Sequence, residues 1–449
     1  AGSFPSAGGT ITMNALSGFC RSFTVVNTPA NSRLNIVGGN SLRVFGNFLV
    51  SGGFIRQGNG VISFESSQLN RTVRAPKLNF GRVNFSSSQG SWLVKDTLKG
   101  LELSILGGQV RLGSARIDFG TIRGIGGHLY LDTAFLKISN RISFESSFQC
   151  AGSQASLEFN GLEYRDHSPS SHRLRYFRVL STRAWIMAGS SFSTGMLLCG
   201  KEQMLLGVWQ ADTIRMPQGG NLLIDHNSVI NTSFLFAQHS CLKWGSIECT
   251  VVGGTGTLNV GNGSPSGVNV IVRDTSFGGA GWAASSHLKL GSVLGLTGTN
   301  TSANRLYWIG GTGSWADTAH WSNTSGGPVS GCLPGPLDTV IIDNNGSTAN
   351  FTVQLGNTDN RVAHSLLLMN TSKKVTVTGS GNFPLMLTGS LVLSDSTTWN
   401  VTRPIQFVGQ DTNAIVDLKG KRHNGQLNFI GGGAWTFTDS SEVSMLALT

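Results

Sequence analysis

The chain repeats itself on two scales, and that constrains its fold more than any single motif. Residues 42–51, LRVFGNFLVS, match residues 385–394, LMLTGSLVLS. ISFESS (62–67) matches IQFVGQ (405–410), and VNFSSSQGSWLVKDT (83–97) matches LNFIGGGAWTFTDS (427–440). Trp92 pairs with Trp435, Asp96 with Asp439, and Asn27-Thr28 with Asn370-Thr371, all at an offset of 343. TITM (10–13) and TVQL (352–355) keep the same step within one residue. A shorter repeat lies inside it. ISFESS recurs word for word at 142–147, an offset of 80, and LNFGRVNF (78–85) resembles LEFNGLEY (157–164). Short units nested in long ones mark a solenoid, in which one unit cannot bury its apolar face until a neighbour covers it.

The segments themselves are strand-like. TVRA, LELSIL, GTLNV, VNVIV, TVIID and KVTVTG are short, β-prone and punctuated by Gly, Asn, Ser or Asp. In LELSIL, Leu101, Leu103 and Ile105 share one face. No window holds a capped helical period. The fold expected is all-β: a parallel β-helix (β-solenoid) of about twenty coils stacked roughly 4.8 Å apart. The competing arrangement, an array of β-sandwiches, needs antiparallel hairpins, and strong Asn-Gly hairpin signals are few. Composition agrees with many tight turns: 60 of 449 residues are glycine and only 12% are charged. Three regions are expected: 1–304, a β-helical repeat unit; 305–345, a Trp/Gly-rich boundary subdomain; and 346–449, the start of the next unit.

The net charge is +10, but no zinc-finger, RNP or basic-zipper pattern accompanies it, so nucleic acid is not an expected partner. The arginines concentrate at 165–183, as Arg165, Arg173, Arg175, Arg178 and Arg183. They read either as a solvated face or as a contact for anionic glycan, lipid or a partner. No run of about twenty apolar residues is present, so no membrane span is expected. The opening AGSFPSAGG has neither an initiator Met nor a signal peptide's apolar core, and the chain reads as an excised piece of something longer. Six cysteines are irregularly spaced, with Cys241 and Cys249 close enough for a small loop to bridge.

RLYWIGGTGSWADTAHW (305–321) places Trp308, Trp315 and Trp321 among glycines. These indoles read as core and cap residues of a repeat boundary, with Gly310, Gly311 and Gly313 making the turns, or else as a carbohydrate platform. The run YWIGGTGSWADTAHWS, then SGG, then CLPGPLDTVIID, resembles the repeat opening of giant surface adhesins of Bacteroidetes, the SprB-like gliding-motility adhesins. LNFIGGGAWTFTDS resembles a second segment of that family. The resemblance covers most of the chain and is weakest at about 165–300. It implies type IX secretion, an extracellular place at the cell surface through a C-terminal domain, and contact with polysaccharide or solid surfaces. It also implies contact with other segments of the same giant chain and with the gliding machinery. Within that phylum, Asp-Thr followed by an apolar residue resembles an O-glycosylation sequon, which makes Thr97, Thr133, Thr213, Thr318 and Thr339 candidates. Asp-Thr is also ordinary turn chemistry. The Asn-x-Ser/Thr matches, such as Asn231 and Asn370, matter only in a eukaryotic secretory route.

Enzymatic readings are weaker. IIDNNGS offers Asp343, Asn344 and Asn345 either to calcium or, more simply, to their own turn. Asp166, His167, Ser168 and His172 carry the residue types of a nucleophilic triad but no oxyanion loop. HExxH, P-loop and Rossmann patterns are absent, and no cofactor or metal is expected. The leading expectation is a non-enzymatic adhesin or stalk segment. The alternatives are a polysaccharide lyase or glycosidase on the same scaffold, and a purely structural filament.

Overall fold

In the short strand Arg33–Ile36, Leu34 and Ile36 are buried while their neighbours are half-exposed, and this alternation recurs in strand after strand. A strand of this kind has one apolar face and needs another strand above it. The computed structural model describes residues 8–29, 32–52, 55–76, 78–168, 172–188, 192–279, 281–298, 304–357, 361–369 and 371–448. Asn370 lies outside them. About 58% of the described residues are strand, wound as a parallel β-solenoid of about 19 turns. Among the described residues no α-helix occurs.

Two compact units form. The first is Ala1–Phe236 with Gly256–Pro265 and Gly278–Ala280; the second is Ala237–Thr255 with Ser266–Phe277 and Gly281–Thr449. In the first unit, Ile62 pairs in parallel with Val83, Val83 with Leu103, Leu103 with Ile122, and Ile122 with Ile142. The two copies of ISFESS, which open on Ile62 and Ile142, therefore begin in one column. The shorter repeat is the sum of the four coils between them.

The long repeat is equally literal. In the first unit Phe23 pairs with Phe48 and Phe48 with Val73. In the second, Leu366 pairs with Leu391 and Leu391 with Val416, each the counterpart of its predecessor at the offset of the long repeat. Packing follows the register. Phe64 stacks on Phe85 at 4.8 Å and Phe85 meets Trp92 at 5.4 Å. Their counterparts Phe407 and Phe429 stack at 4.6 Å, and Phe429 meets Trp435 at 5.3 Å.

At one core position the two copies differ by a compensating pair. In both, a backbone N–H bonds the carbonyl of the rung below: Gly60 to Ile36 at 3.1 Å, and Arg403 to Gly379 at 3.3 Å. A Cβ on Gly60 would lie 2.2 Å from Ile36 Cγ2. The second copy puts the large side chain on the other partner. Arg403 is fully buried, and its guanidinium donates to the carbonyls of Leu355, Phe383 and Pro384 at 2.7–3.2 Å. A buried charge is tolerable only when satisfied in this way.

The second unit begins its main ladder within the Trp-rich segment. Arg305–Trp308 pairs in parallel with Thr339–Ile342, which pairs with Ser365–Leu368. Residues 305–345 thus supply rungs of the same sheet that the following coils continue. Among the described strand pairings, only Arg305–Trp308 with Trp321–Ser322 is antiparallel. The small Cys241–Cys249 loop does not close. Cys241 bonds Cys332, at a sequence separation of 91, while strand alternation turns Cys249 into the core as a free thiol. Trp244 lies against Gly335 beside this bond, where an added Cβ would meet the indole nitrogen at 2.4 Å. Burial pushes the Cys199 thiol up to about 12, which leaves it unreactive.

Closing so long a loop removes chain entropy from the unfolded state. Cys332→Ser is expected to lower the stability of the second unit by about 2–4 kcal/mol, read as an earlier denaturant midpoint in oxidised but not reduced protein. A second expectation concerns pH. His423 is fully buried, its Nδ1 accepts from Trp399 Nε1 at 3.2 Å, and burial pushes its pKa down to about 4. An unfolded histidine takes its proton near 6.5, so between these values the unfolded chain binds more protons. Stability should fall by about 1.4 kcal/mol for each pH unit from 6.5 down to 4, and His423→Gln should flatten that slope.

Candidate functional site

The three indoles of the boundary segment converge inward. Trp308, Trp315 and Trp321 are 0, 2 and 0 % exposed. Trp321 makes edge-to-face contacts with Trp308 at 5.0 Å and Trp315 at 4.9 Å, and His320 stacks on Trp308 at 4.7 Å. Trp308 Nε1 donates to Gly311 O at 2.7 Å and Trp321 Nε1 to Trp315 O at 2.9 Å. Gly310 and Gly311 hold φ near 80°, which favours glycine. A Cβ on Gly313 would strike His320 at 1.8 Å. Asp317 accepts from Ala319 N, closing the short turn that carries His320. The triad fills the first rung of a core that continues through Val340, Phe351 and Val353. This corrects the carbohydrate-platform reading: no indole face is open for a sugar ring.

The arginine cluster is also rearranged by the coil. Arg165 lies on the strand Glu163–Asp166 and pairs with Glu163. Arg178 pairs with Glu158 of the rung below at 3.6 Å, and Arg183 with Glu202 of the rung above at 3.2 Å. Similar pairs recur elsewhere, as Arg82 with Glu102 and Arg141 with Glu163. Such exposed pairs contribute at most about 1 kcal/mol each, and they commit the carboxylates to neighbouring arginines. Arg173, Arg175 and Arg178 share the strand His172–Val179; Arg178 is engaged by Glu158, which leaves Arg173 and Arg175.

These two enter a lateral groove of the first unit, formed by adjoining depressions of about 350 and 530 Å³ that share Asp212. Its walls are columns of in-register residues. On one side Arg173 pairs with Ser193, Ser193 with Gln210, Gln210 with Asn231, and Asn231 with Asn259. On the other, Tyr176 pairs with Met196, Met196 with Thr213, and Thr213 with Phe234. Between the columns each strand turns a corner with two successive outward residues, as at Asp212-Thr213 and Ser233-Phe234. Inward threonines hold the corner: Thr194 Oγ1 donates to Met196 O at 3.1 Å and Thr232 Oγ1 to Phe234 O at 3.0 Å. Arg173 reaches over Gly195 to bond Asp212. Asn259 Nδ2 donates to Asn231 Oδ1 at 2.7 Å, and Asn231 Nδ2 to Trp209 O at 3.2 Å.

The remaining candidates do not assemble. Thr97, Thr318 and Thr339 are half-buried and dispersed, Thr133 is exposed in a turn, and Thr213 sits in the groove wall. Asp166 is buried and accepts from Tyr164 and Ser168 N, whereas the adjacent His167 points out. The strand's alternation thus separates two members of the nominal triad, and the His172 side chain lies outside the described residues. Asp343 caps its own turn through Asn345 N at 2.9 Å and accepts from Ser325 at 2.6 Å. Among the described residues no group of three His, Cys, Asp or Glu is placed to hold a metal ion, and no helix is long and apolar enough to cross a membrane.

The groove column was invisible in the sequence because its spacings are uneven. The step from Ser193 to Gln210 is much shorter than the step from Asn231 to Asn259. Asn231 stood out only as an Asn-x-Ser match. Comparison with family models, curated proteins and solved structures finds no match for this chain.

Removing an indole from the triad should act on folding. Trp315→Ala is expected to cost about 3–5 kcal/mol, measured as a lowered melting temperature of the second unit. An unchanged melting temperature would contradict the core assignment.

Proposed function

We propose that this chain is a non-enzymatic segment of an extracellular, cell-surface adhesin or stalk, mediating contact with polysaccharide or solid surfaces. The observation that carries the reading is the recurrence of one coil register in two distant copies, Phe23–Phe48–Val73 and Leu366–Leu391–Val416. A scaffold that repeats its rungs serves to extend and to present one lateral surface many times. The long-range disulfide supports an oxidising compartment. The engagement of Glu102, Glu158, Glu163 and Glu202 by arginines supports a structural use of the surface acids. The resemblance of the boundary motif to SprB-like adhesins extends the proposal to type IX secretion and the gliding machinery.

Beads carrying the purified chain are expected to resist detachment by flow from polysaccharide-coated or bare solid surfaces. Incubation with neutral and acidic polysaccharides should release no new reducing ends or unsaturated products. Turnover abolished by Asp212→Asn would overturn the reading in favour of an enzyme. Failure to adhere to any surface would leave only the spacer role.

A further inference from the structure

The lateral groove of the first unit carries a chemistry more specific than general adhesion. Its two walls differ in kind. Gln210, Asn231 and Asn259 line one side with amide donors and acceptors at successive rungs. The other side offers Tyr176 in the lining, 39 % exposed, and Phe234, 43 % exposed, next to Thr213 in the same column. Rungs recur about every 4.8 Å, close to the rise of one sugar in an extended β-linked glycan. A pyranose has the matching asymmetry, with hydroxyls at its rim and C–H groups on its face.

We propose that this groove binds a linear, uncharged polysaccharide lying across the rungs, one sugar to about one coil. The proposal rests on the adhesive reading and names its ligand. Three features set the class. First, the floor carries little net charge. Arg173 is bonded to Asp212, which leaves the single charge of Arg175, lying over the Tyr176 ring at 5.3 Å. An acidic polymer would need a row of unpaired cations, and the neighbouring Arg165 and Arg178 are engaged by Glu163 and Glu158. Second, the floor is kept open by glycine. A Cβ on Gly195 would meet Arg175 O at 2.8 Å, and one on Gly261 would meet Ser233 O at 2.8 Å. Third, an extended peptide joins a sheet by its backbone at a free edge. Here the strands beneath the groove are paired with rungs on both sides, which leaves side chains to do the recognising.

Exposed aromatic rings contribute modestly, so their loss should weaken binding without unfolding the coil. The full chain would be titrated calorimetrically with xylohexaose, cellohexaose and mannohexaose, and with polygalacturonate as the acidic comparison. At least one neutral hexaose is expected to bind. The double variant Tyr176→Ala/Phe234→Ala should lower its affinity about tenfold. Gln210→Ala, at an exposed amide, should also weaken it, while Trp185→Ala, an exposed indole outside the groove, should not. All variants should keep the parent melting temperature. The proposal is overturned if no neutral hexaose binds, if the groove variants bind as the parent does, or if only polygalacturonate binds and salt abolishes it. Adhesion of beads that persists in any of these cases would remove the groove as the site and leave the adhesive reading standing.

Discussion

The hydrogen-bond ladder between parallel rungs organises everything else in the molecule. Parallel pairing sets each residue above the residue one coil earlier, so side chains stand in columns. A column pointing inward is mostly apolar, and its polar members are held by hydrogen bonds, as Thr194, Thr232 and Arg403 are. The Ile62–Val83–Leu103–Ile122–Ile142 column is apolar residue by residue. A column pointing outward is free to alternate charges, as Arg82 over Glu102 and Arg141 over Glu163 show.

The same ladder explains how two distant copies diverge while keeping one fold. At one such position the residues of two successive rungs share a space. Ile36 with Gly60 and Gly379 with Arg403 are two ways of filling it. The second way carries a charge into the core and is stable because the turn carbonyls of Leu355, Phe383 and Pro384 converge there. The tryptophan triad addresses a related need. The ladder that begins at Leu306 has apolar side chains at its first rung, and a short antiparallel return through Trp321 folds indoles over them. Their burial closes their faces to solvent.

The surface of such a scaffold is a collective property. In the groove no single residue is unusual; Gln210, Asn231 and Asn259 are ordinary surface amides. Stacking them in register makes a row, and the adjoining column sets Phe234 on the rung of Asn231 and Tyr176 on the rung of Arg173, so that side is partly aromatic. The corners that keep the two sides apart depend on inward Thr194 and Thr232, so the local turn chemistry of a few threonines shapes the groove.

The parallel coil, its two nested repeats and the alternation that turns Leu, Ile, Val and Phe inward were all legible in the linear chain. These are periodic properties, and periodicity can be read in one dimension. Which side chains meet was settled only on folding. The step between paired residues changes from coil to coil, as between Ser193–Gln210 and Asn231–Asn259, and each change shifts the columns. That is why the arginines of 165–183, one cluster in the chain, are spread over three strands, with Arg165, Arg178 and Arg183 paired to glutamates. It is also why Cys241 found Cys332 rather than Cys249. Three indoles among turn glycines read as core and cap residues or as a sugar platform, and the packing of the first rung turned them into the core.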